Sequence, residues 1–283
     1  MRPISQSLAL LALLGLFIAL PAQAETFHTC GTIINTVPTV ISTQGVYCLT
    51  HDVSTAITSG SAIDIQSNNV TIDCNGYKLG GLAAGTSSNA TGINASASRL
   101  NVTVRNCGIR GFFYGIDLQG GAGHLIEDNR LDNNLTTGIF VLGENNRVRR
   151  NAVYDTGGFP GNAAAYGIRV SADVFDNTVS GVFATATNTY PSGIFMVGSG
   201  TEARGNLVRG LVVAGAGSAV GITSTIGTSG LTLDGNRISA TAVTTGYGIY
   251  ATGATDSFCA GNTIGKFGTA IAACQDAGGN ASN

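Results

Sequence analysis

Side chains that could do chemistry recur at one position of a repeated pattern in this chain. The position follows the isoleucine of a repeated Gly-Ile or Ala-Ile pair. Its occupants are Asp64, Asn94, Asp117, Phe140, Arg169, Phe195, Thr223 and Tyr250. Aromatic faces stack on sugar rings, arginine pairs with uronate carboxylates, and aspartate accepts hydrogen bonds from hydroxyl groups or transfers protons. A fold that aligns these positions would create a surface suited to a long glycan.

The same positions supply our candidates for ligand binding and for catalysis. Those for ligand binding are Asn94, Phe140, Arg169, Phe195 and Tyr250, and those for catalysis are Asp64, Asp117 and Arg169. A hydrolase would use Asp64 and Asp117, which are two repeats apart and therefore about 9 to 10 Å apart between backbones, near the upper end for an inverting glycosidase. A lyase would use Arg169 and Asp117 at one sugar, with Ca²⁺ on acidic side chains. Alternation along the strand points all these residues outward. The alternative interpretation is a solvated sheet face on which large residues shield the backbone, but Phe140 and Phe195, which we expect to be exposed, favour a ligand.

These residues must be positioned by a repeat of 22 to 30 residues, the interval between successive Gly-Ile pairs. About ten residues after each pair comes a short strand, then Asn, any residue and an aliphatic residue. This Asn slot holds Asn75 and Cys107 in the first units, then Asn129, Asn151, Asn177, Asn206, Asn236 and Asn262. Each unit has room for two or three short strands and none for a helix, which fits one coil of a parallel β-helix. A β-sandwich or a propeller would not place one Ile and one Asn in every unit.

The repeat resembles that of the pectin-lyase-like superfamily over about residues 60 to 270. This resemblance implies an all-β fold, a single-stranded right-handed parallel β-helix of about nine coils, and a link to carbohydrate-binding proteins and sugar hydrolases. The Gly-Ile strand would belong to the first parallel sheet of that fold. The catalytic motifs of polygalacturonase-like enzymes (Asn-Thr-Asp, Asp-Asp, Gly-His-Gly and Arg-Ile-Lys) do not occur, so no catalytic residue is transferred from the family. His124, nearest to the histidine motif, is expected on the surface.

The N-terminus indicates export. Arg2, the apolar run Leu8 to Leu20 and the small-x-small site at Ala22-Gln23-Ala24 predict a signal peptide over residues 1–24. A membrane anchor is the alternative, although the run is short for a span. We expect an N-terminal cap over residues 25–58 and the β-helix over 59–283, in a secreted or periplasmic protein.

Six cysteines follow the predicted cleavage site, and an even count in an exported chain indicates disulfides. Pairing in chain order would join Cys30 to Cys48, Cys74 to Cys107, and Cys259 to Cys274, the last pair stapling the C-terminal end. No Cys-x-x-Cys spacing occurs and the histidines are scattered, so we predict no metal site. No cofactor is predicted either, Ca²⁺ being considered only for a lyase.

A second column of charges has a structural interpretation. The outward positions of the second strand are Asp73, Arg105, Glu127, Arg149, Phe175, Arg204 and Asp234, and the adjacent position reads Asp128, Arg150 and Asp176. Opposite charges that face each other across strands stabilise a sheet modestly. The formal net charge of −2 gives no basis for nucleic acid or a membrane surface as partner.

The sequence therefore predicts a secreted β-helix that binds polysaccharide along its first parallel sheet. Whether it also cleaves the polysaccharide, as a lyase or a glycoside hydrolase, is left open, as is its oligomeric state. The alternative is a non-catalytic structural or adhesive exoprotein, favoured by the missing catalytic motifs and the ion-paired second strand.

Overall fold

The computed structural model describes residues 30–95, 98–252 and 256–283. The predicted signal peptide and residues 25–29 of the predicted cap lie outside these ranges. Within them, regular structure is β-strand apart from one 3-10 helix at Leu82–Ala84. No helix in the described ranges is long and apolar enough to cross a membrane.

Each coil contributes three strands in turn, and we call the sides that they form the first, second and third faces. The first face consists of Thr39–Ile41, Ser61–Ile65, Thr91–Ala95, Tyr114–Leu118, Thr137–Val141, Ala164–Val170, Tyr190–Met196 and Ala219–Ser224. The second consists of Thr32–Ile33, Gly45–Cys48, Val70–Asp73, Thr103–Arg105, Leu125–Glu127, Arg147–Arg149, Asp173–Phe175, Glu202–Arg204, Thr232–Asp234, Phe258–Ala260 and Gln275–Asp276. The third consists of Val53–Ser54, Lys78–Gly80, Gly108–Arg110, Arg130–Asp132, Ala152–Tyr154, Thr178–Ser180, Leu207–Arg209 and Ala281–Ser282. Two long strands, Arg237–Tyr250 and Thr263–Ala272, run from the third face into the next first-face strand.

Every strand pairs in parallel with the equivalent strand one coil later. On the first face this register aligns Ile63, Ile93, Ile116, Ile139, Ile168, Ile194, Ile222, Ile249 and Ile271 in one internal column. The predicted fold, a parallel β-helix of about nine coils, is thus confirmed. The strands of residues 30–58 already follow this register, since Thr39–Ile41 pairs with Ser61–Ile65 and Val53–Ser54 pairs with Lys78–Gly80.

The Gly-Ile pair requires glycine because neighbouring atoms inside the β-helix lie too close to this position to admit a Cβ atom. A Cβ atom added to Gly167 would lie 2.3 Å from Cγ1 of Val179 and 2.7 Å from the carbonyl oxygen of Gly193. The same crowding recurs at Gly193, against Val208, and at Gly221, against Ile238. Because interiors are packed to crystal-like density, only glycine fits where the first-face strand passes the aliphatic residue of the third.

The Asn slot forms a buried ladder, as predicted. Oδ1 of Asn177 accepts the backbone N–H of Asn151 at 2.9 Å, and Nδ2 of Asn177 donates to the carbonyl oxygen of Val148 at 3.0 Å and to Oδ1 of Asn206 at 3.0 Å. Each side chain thus satisfies the turn of the coil before it and bonds to the asparagine of the next coil. Buried backbone groups at the turns would otherwise be unpaired.

The placement of Asn75 in this ladder was wrong. Its backbone is left-handed, with φ 49°, and its Nδ2 donates to the carbonyl oxygen of Leu49. Asp73 pairs with Arg105, and Lys78 pairs with Gly108, so the turn of the earlier coil is two residues longer than that of the later one. The extra residues move Asn75 out of the slot.

Three disulfides link neighbouring coils at the two ends of the described chain. They join Cys30 to Cys48, Cys74 to Cys107, and Cys259 to Cys274. The backbone N–H of Cys107 also donates to Oδ1 of Asn129, so this cysteine occupies the first position of the Asn ladder.

Replacing Gly167 with alanine should destabilise the protein by about 1 to 3 kcal/mol, because the new methyl group overpacks the interior. Gly268→Ala is the matched control, since its added Cβ would lie no closer than 3.5 Å to the nearest atom, the carbonyl oxygen of Thr244. Denaturant unfolding of both variants measures the difference. In the double variant with Val179→Ala, the loss should be smaller than the sum of the single losses; simple additivity would contradict the proposed clash.

Replacing Asn177 with alanine should lower the free energy of unfolding by about 2 to 4 kcal/mol, because the N–H of Asn151 and the carbonyl of Val148 lose partners in a buried site. The exposed Asn89→Ala is the control and should change it by less than about 0.5 kcal/mol. Equal losses in the two variants, measured by thermal or denaturant unfolding, would refute a special role for the ladder.

Candidate functional site

The register places the predicted outward residues in one column on the first face. Asp64 pairs with Asn94, which pairs with Asp117, and the column continues through Phe140, Arg169, Phe195, Thr223 and Tyr250. The alignment inferred from the Gly-Ile repeat is therefore correct for every member. The side chains divide into an aromatic group around Arg169 and a polar group that begins at Asp64.

Arg169 lies among three aromatic rings. Its guanidinium carbon is 4.9 Å from the ring centroid of Phe140, 5.5 Å from that of Phe195 and 5.4 Å from that of Tyr166. Its Nε atom is buried and has no hydrogen-bond partner among the described residues. The rings hold the guanidinium by cation–π attraction, and no carboxylate among the described residues pairs with it.

The aromatic group extends sideways beyond the predicted column. The ring of Tyr114 lies 5.6 Å from that of Phe140 and 4.7 Å from that of Phe113. The Phe113 ring lies 5.0 Å from that of Phe159, which belongs to the loop after the third-face strand Ala152–Tyr154. The Tyr166 ring lies 5.3 Å from that of Phe195. We call this connected set the aromatic strip, made of Phe113, Tyr114, Phe140, Phe159, Tyr166, Arg169 and Phe195.

Tyr114 and Tyr166 were missed because strict alternation along the strand places them inside. The missing side chain of Gly115 faces the interior, against Leu131, and Ile116 is also buried. Because the Gly and the Ile both face inward, the tyrosine that precedes them faces outward. An aromatic residue immediately before a Gly-Ile pair is the sequence signal that would have found both tyrosines.

Phe140 was expected to be exposed, and this was wrong. Only 7% of Phe140 is accessible to solvent, whereas Phe195 is half-buried. Arg169 and the ring of Tyr114 cover the Phe140 ring. The surface available to a ligand is therefore formed by Arg169, Tyr114, Tyr166 and Phe195, with Phe140 beneath them.

Asp117 borders the strip and is electrostatically unusual. It is 7% exposed, and its Oδ2 accepts a hydrogen bond from Gln119 at 3.1 Å. Its Oδ1 is buried and has no hydrogen-bond partner within the described ranges. Burial raises the pKa of Asp117 to about 6. Burial, followed by the charge of Asp117, also raises the pKa of Tyr114. Near neutral pH this carboxyl group can therefore act as either a proton donor or an acceptor.

Asp64 has a different environment, although it belongs to the same column. Its Oδ2 accepts from Gln66 at 2.8 Å and its Oδ1 accepts from Nδ2 of Asn94 at 2.8 Å. Asn94 lies in the coil between Asp64 and Asp117. Both carboxylate oxygens of Asp64 are thus engaged by amides, which distinguishes it chemically from Asp117.

Tyr250, at the other end of the column, lies apart from the strip. Its ring stacks on that of Tyr247 at 4.4 Å, with 18° between the planes. Thr223 separates this pair from Phe195, and the Thr223 hydroxyl donates to the carbonyl oxygen of Tyr250 at 3.0 Å. The predicted ligand-binding residues therefore form two aromatic groups on one face.

On the second face, the N-terminal part of the predicted charge column forms ion pairs across strands, whereas Arg204 pairs with Glu202 of its own strand. Arg105 Nε lies 2.8 Å from Asp73 Oδ2, and Arg149 lies 2.8 Å from Oε2 of Glu127. Arg150 lies 2.8 Å from Glu127 and 2.7 Å from Asp128. The hydrogen bond from Arg150 lowers the pKa of Asp128. These charges neutralise one another across strands, which supports their structural interpretation.

His124 is not on the surface, contrary to expectation. It is 1% exposed, its Nδ1 accepts the backbone N–H of Val102 at 3.2 Å, and its Nε2 lies 3.1 Å from the carbonyl oxygen of Gly120. Burial lowers the pKa of His124. The neutral ring therefore pairs backbone groups at a turn. Among the described residues, no group of three or more His, Cys, Asp and Glu side chains could hold a metal ion.

The stacked coils, with their three faces, define the class of the protein as a parallel β-helix. The family model described as "Right handed beta helix region" matches residues 39–210, and the chain belongs to this family. No curated protein matches the sequence.

Three solved structures are similar in fold. The Dettilon tailspike protein (gp208) is 16% identical, with a TM-score of 0.50 over 89% of this chain and 59% of that one. The Azotobacter vinelandii mannuronan C-5 epimerase AlgE6 A-module is 16% identical, with a TM-score of 0.38 over 90% and 91%. The alginate lyase from Paenibacillus sp. str. FPU-7 is 14% identical, with a TM-score of 0.41 over 84% and 92%. This chain spans little more than half of the tailspike protein, and at such identities the likeness concerns the fold alone.

Replacing Asp117 with asparagine should stabilise the protein at pH 7.5 by about 1 to 3 kcal/mol and change little near pH 3.5. The folded-state pKa of about 6 exceeds the ordinary 3.8, so the free energy of unfolding falls as pH rises through this window. Denaturant unfolding at pH 3.5, 5 and 7.5 measures the effect. Asp64→Asn is the control and should give no comparable gain; an Asp117→Asn protein no more stable than the parent at pH 7.5 would contradict this account.

Proposed function

We propose that this chain is an exported protein that binds polysaccharide along the first face of its β-helix. The observation that carries the proposal is the position of Arg169, a half-buried guanidinium that is held over three rings and forms no ion pair with a carboxylate among the described residues. Rings and a planar cation together suit a ligand that offers both apolar sugar faces and hydrogen-bond acceptors.

The dimensions of the face favour an extended ligand. Tyr114, Phe140, Arg169 and Phe195 come from four successive coils, each about 4.8 Å from the next. The second aromatic group, Tyr247 and Tyr250, lies two coils beyond Phe195 on the same face. A polymer that runs along the helix axis could contact both groups, whereas a single small sugar would reach only one.

Export is supported by the predicted signal peptide and by the disulfides. Three disulfides in a chain of this size are typical of proteins that fold in an oxidising compartment. Polysaccharides of cell surfaces and matrices are available there. The family establishes the fold, so the assignment of a ligand rests on the first face itself.

Cleavage of the bound polysaccharide is a second candidate function, favoured by Asp117. A carboxyl group with a pKa of about 6 at the edge of the aromatic strip is suited to general acid–base catalysis. Arg169 lies two coils away on the same column and would orient an acidic sugar or stabilise developing negative charge. Asp64 is less suited to this role because both its oxygens are already engaged.

The binding proposal is tested by measuring the affinities of the mature protein for a panel of acidic and neutral polysaccharides. Tyr166→Ala and Phe195→Ala should each weaken binding by about tenfold, equivalent to ~1.4 kcal/mol. Phe175→Ala is the matched control, because Phe175 also lies beneath arginines, Arg147 and Arg204, but on the second face. Equal loss in the control, or undiminished binding in the first-face variants, would refute the assignment.

The same panel separates binding from cleavage. Unsaturated products detected by absorbance would indicate a lyase, and new reducing ends alone would indicate a hydrolase. Turnover that disappears in Asp117→Asn while binding remains would support the second candidate. Silence in every binding and product assay would favour the non-catalytic structural or adhesive alternative.

A further inference from the structure

The third face carries an excess of positive charge that neither the fold nor the proposed function uses. In the described part of the chain its strands contain a single acidic residue, Asp132, and six basic residues. The basic residues are Lys78, Arg110, Arg130, Arg209, Arg237 and Lys266. The whole chain has a formal net charge of −2. A basic face on a slightly acidic protein indicates a local surface for an anionic partner.

The basic residues fall into two groups with different surroundings. In the N-terminal group, Arg110 lies 3.1 Å from Asp132 and Lys78 lies 4.0 Å from Asp52, while Arg130 stacks 4.6 Å from the centroid of the Tyr154 ring. These contacts orient the side chains and neutralise part of their charge. The N-terminal group therefore contributes less to the positive potential of the third face than its number of basic residues suggests.

The C-terminal group has different surroundings. Arg209, Arg237 and Lys266 are exposed, and no ion pair joins them to a carboxylate in the described part of the chain. Lys266 donates to the carbonyl oxygen of Thr241 at 3.3 Å. Leu207 pairs with Arg237, which places Arg209 diagonally across from Arg237 on neighbouring strands. Three cations thus share one end of the face without carboxylate partners.

The strand residues described between the two groups, Ala152 to Tyr154, Thr178 to Ser180, and Leu207 and Val208, carry no charge. Arg130 and Arg237 belong to one column, separated by Ala152, Thr178 and Leu207, so they are four coils and about 19 Å apart. The neighbouring column offers the hydroxyl group of Ser180. An elongated partner that crosses this stretch would meet the ring of Tyr154 beside Arg130 and then the shorter side chains of Thr178 and Ser180.

From this arrangement we propose that the third face is an electrostatic docking surface for an acidic polysaccharide, separate from the ligand surface of the first face. Duplex nucleic acid presents about one charge per 1.7 Å, which is matched by dense clusters of cations. Cations spread over about 19 Å are better matched by a polymer with widely spaced acid groups, as in glycans with one sulfate or carboxylate per repeating unit. The protein would then be retained on an acidic polymer while its first face remains free.

The experiment measures binding of the mature protein to heparin and to polygalacturonate as probes of sulfated and carboxylated glycans, with dextran and duplex DNA for comparison. The double variant Arg209→Gln/Arg237→Gln should bind the acidic glycans roughly tenfold more weakly at low salt. The matched control is Arg147→Gln/Arg204→Gln on the second face, which removes the same charge and should bind within about twofold of the parent. Arg209→Lys/Arg237→Lys should retain most of the binding.

Three outcomes would overturn the proposal. Equal weakening in both glutamine variants would mean that only net charge matters, and absence of binding by the parent would mean that the face has no such ligand. Tighter binding to duplex DNA than to either acidic glycan would point to a nucleic-acid surface instead. Affinity for whichever polysaccharide of the panel loses binding in Tyr166→Ala and Phe195→Ala, measured in the same variants, separates failure of this inference from failure of the proposed function.

Discussion

Parallel stacking of coils at about 4.8 Å is the constraint on which the whole molecule depends. Every position in one coil lies directly against the same position in the coils before and after it, so a residue that fits poorly disturbs two interfaces at once. The Asn ladder meets this constraint with one side chain that both accepts and donates, as Asn177 does between Asn151 and Asn206. The glycine of the Gly-Ile pair meets it by leaving room for the aliphatic residue of the third strand.

The same constraint turns a repeated sequence into extended surfaces. Inward positions are held nearly uniform by packing, while outward positions can differ from coil to coil and still remain aligned. The three faces have accordingly acquired different chemistry. The first collects rings around Arg169, and the second pairs part of its charges across strands. On the third, no ion pair joins Arg209 or Arg237 to a carboxylate among the described residues. Charges that neutralise one another are explained by the fold, so the unpaired ones are the more informative about ligands.

The sequence was sufficient to predict the fold and the register of the first face because a one-residue slip would move every aliphatic residue to the outside. It was not sufficient where local geometry breaks strict alternation. Tyr114 and Tyr166 face outward because the Gly and the Ile that follow each of them both face inward. Strict alternation of inward and outward residues does not predict two inward residues in succession. The burial of Phe140 and His124 depends on which neighbours cover them, and single positions in a sequence do not encode that packing.

The contrast between Asp64 and Asp117 shows how stacking separates a structural carboxylate from a candidate functional one. Each is followed two residues later by a glutamine that donates to its Oδ2. The next coil brings Asn94 beside Asp64, and its amide donates to Oδ1. Beside Asp117 the next coil brings Phe140, whose ring has no donor, so Oδ1 stays buried and unpaired. A carboxyl group kept in this state lowers stability at neutral pH, and such local costs are characteristic of sites maintained for binding or chemistry.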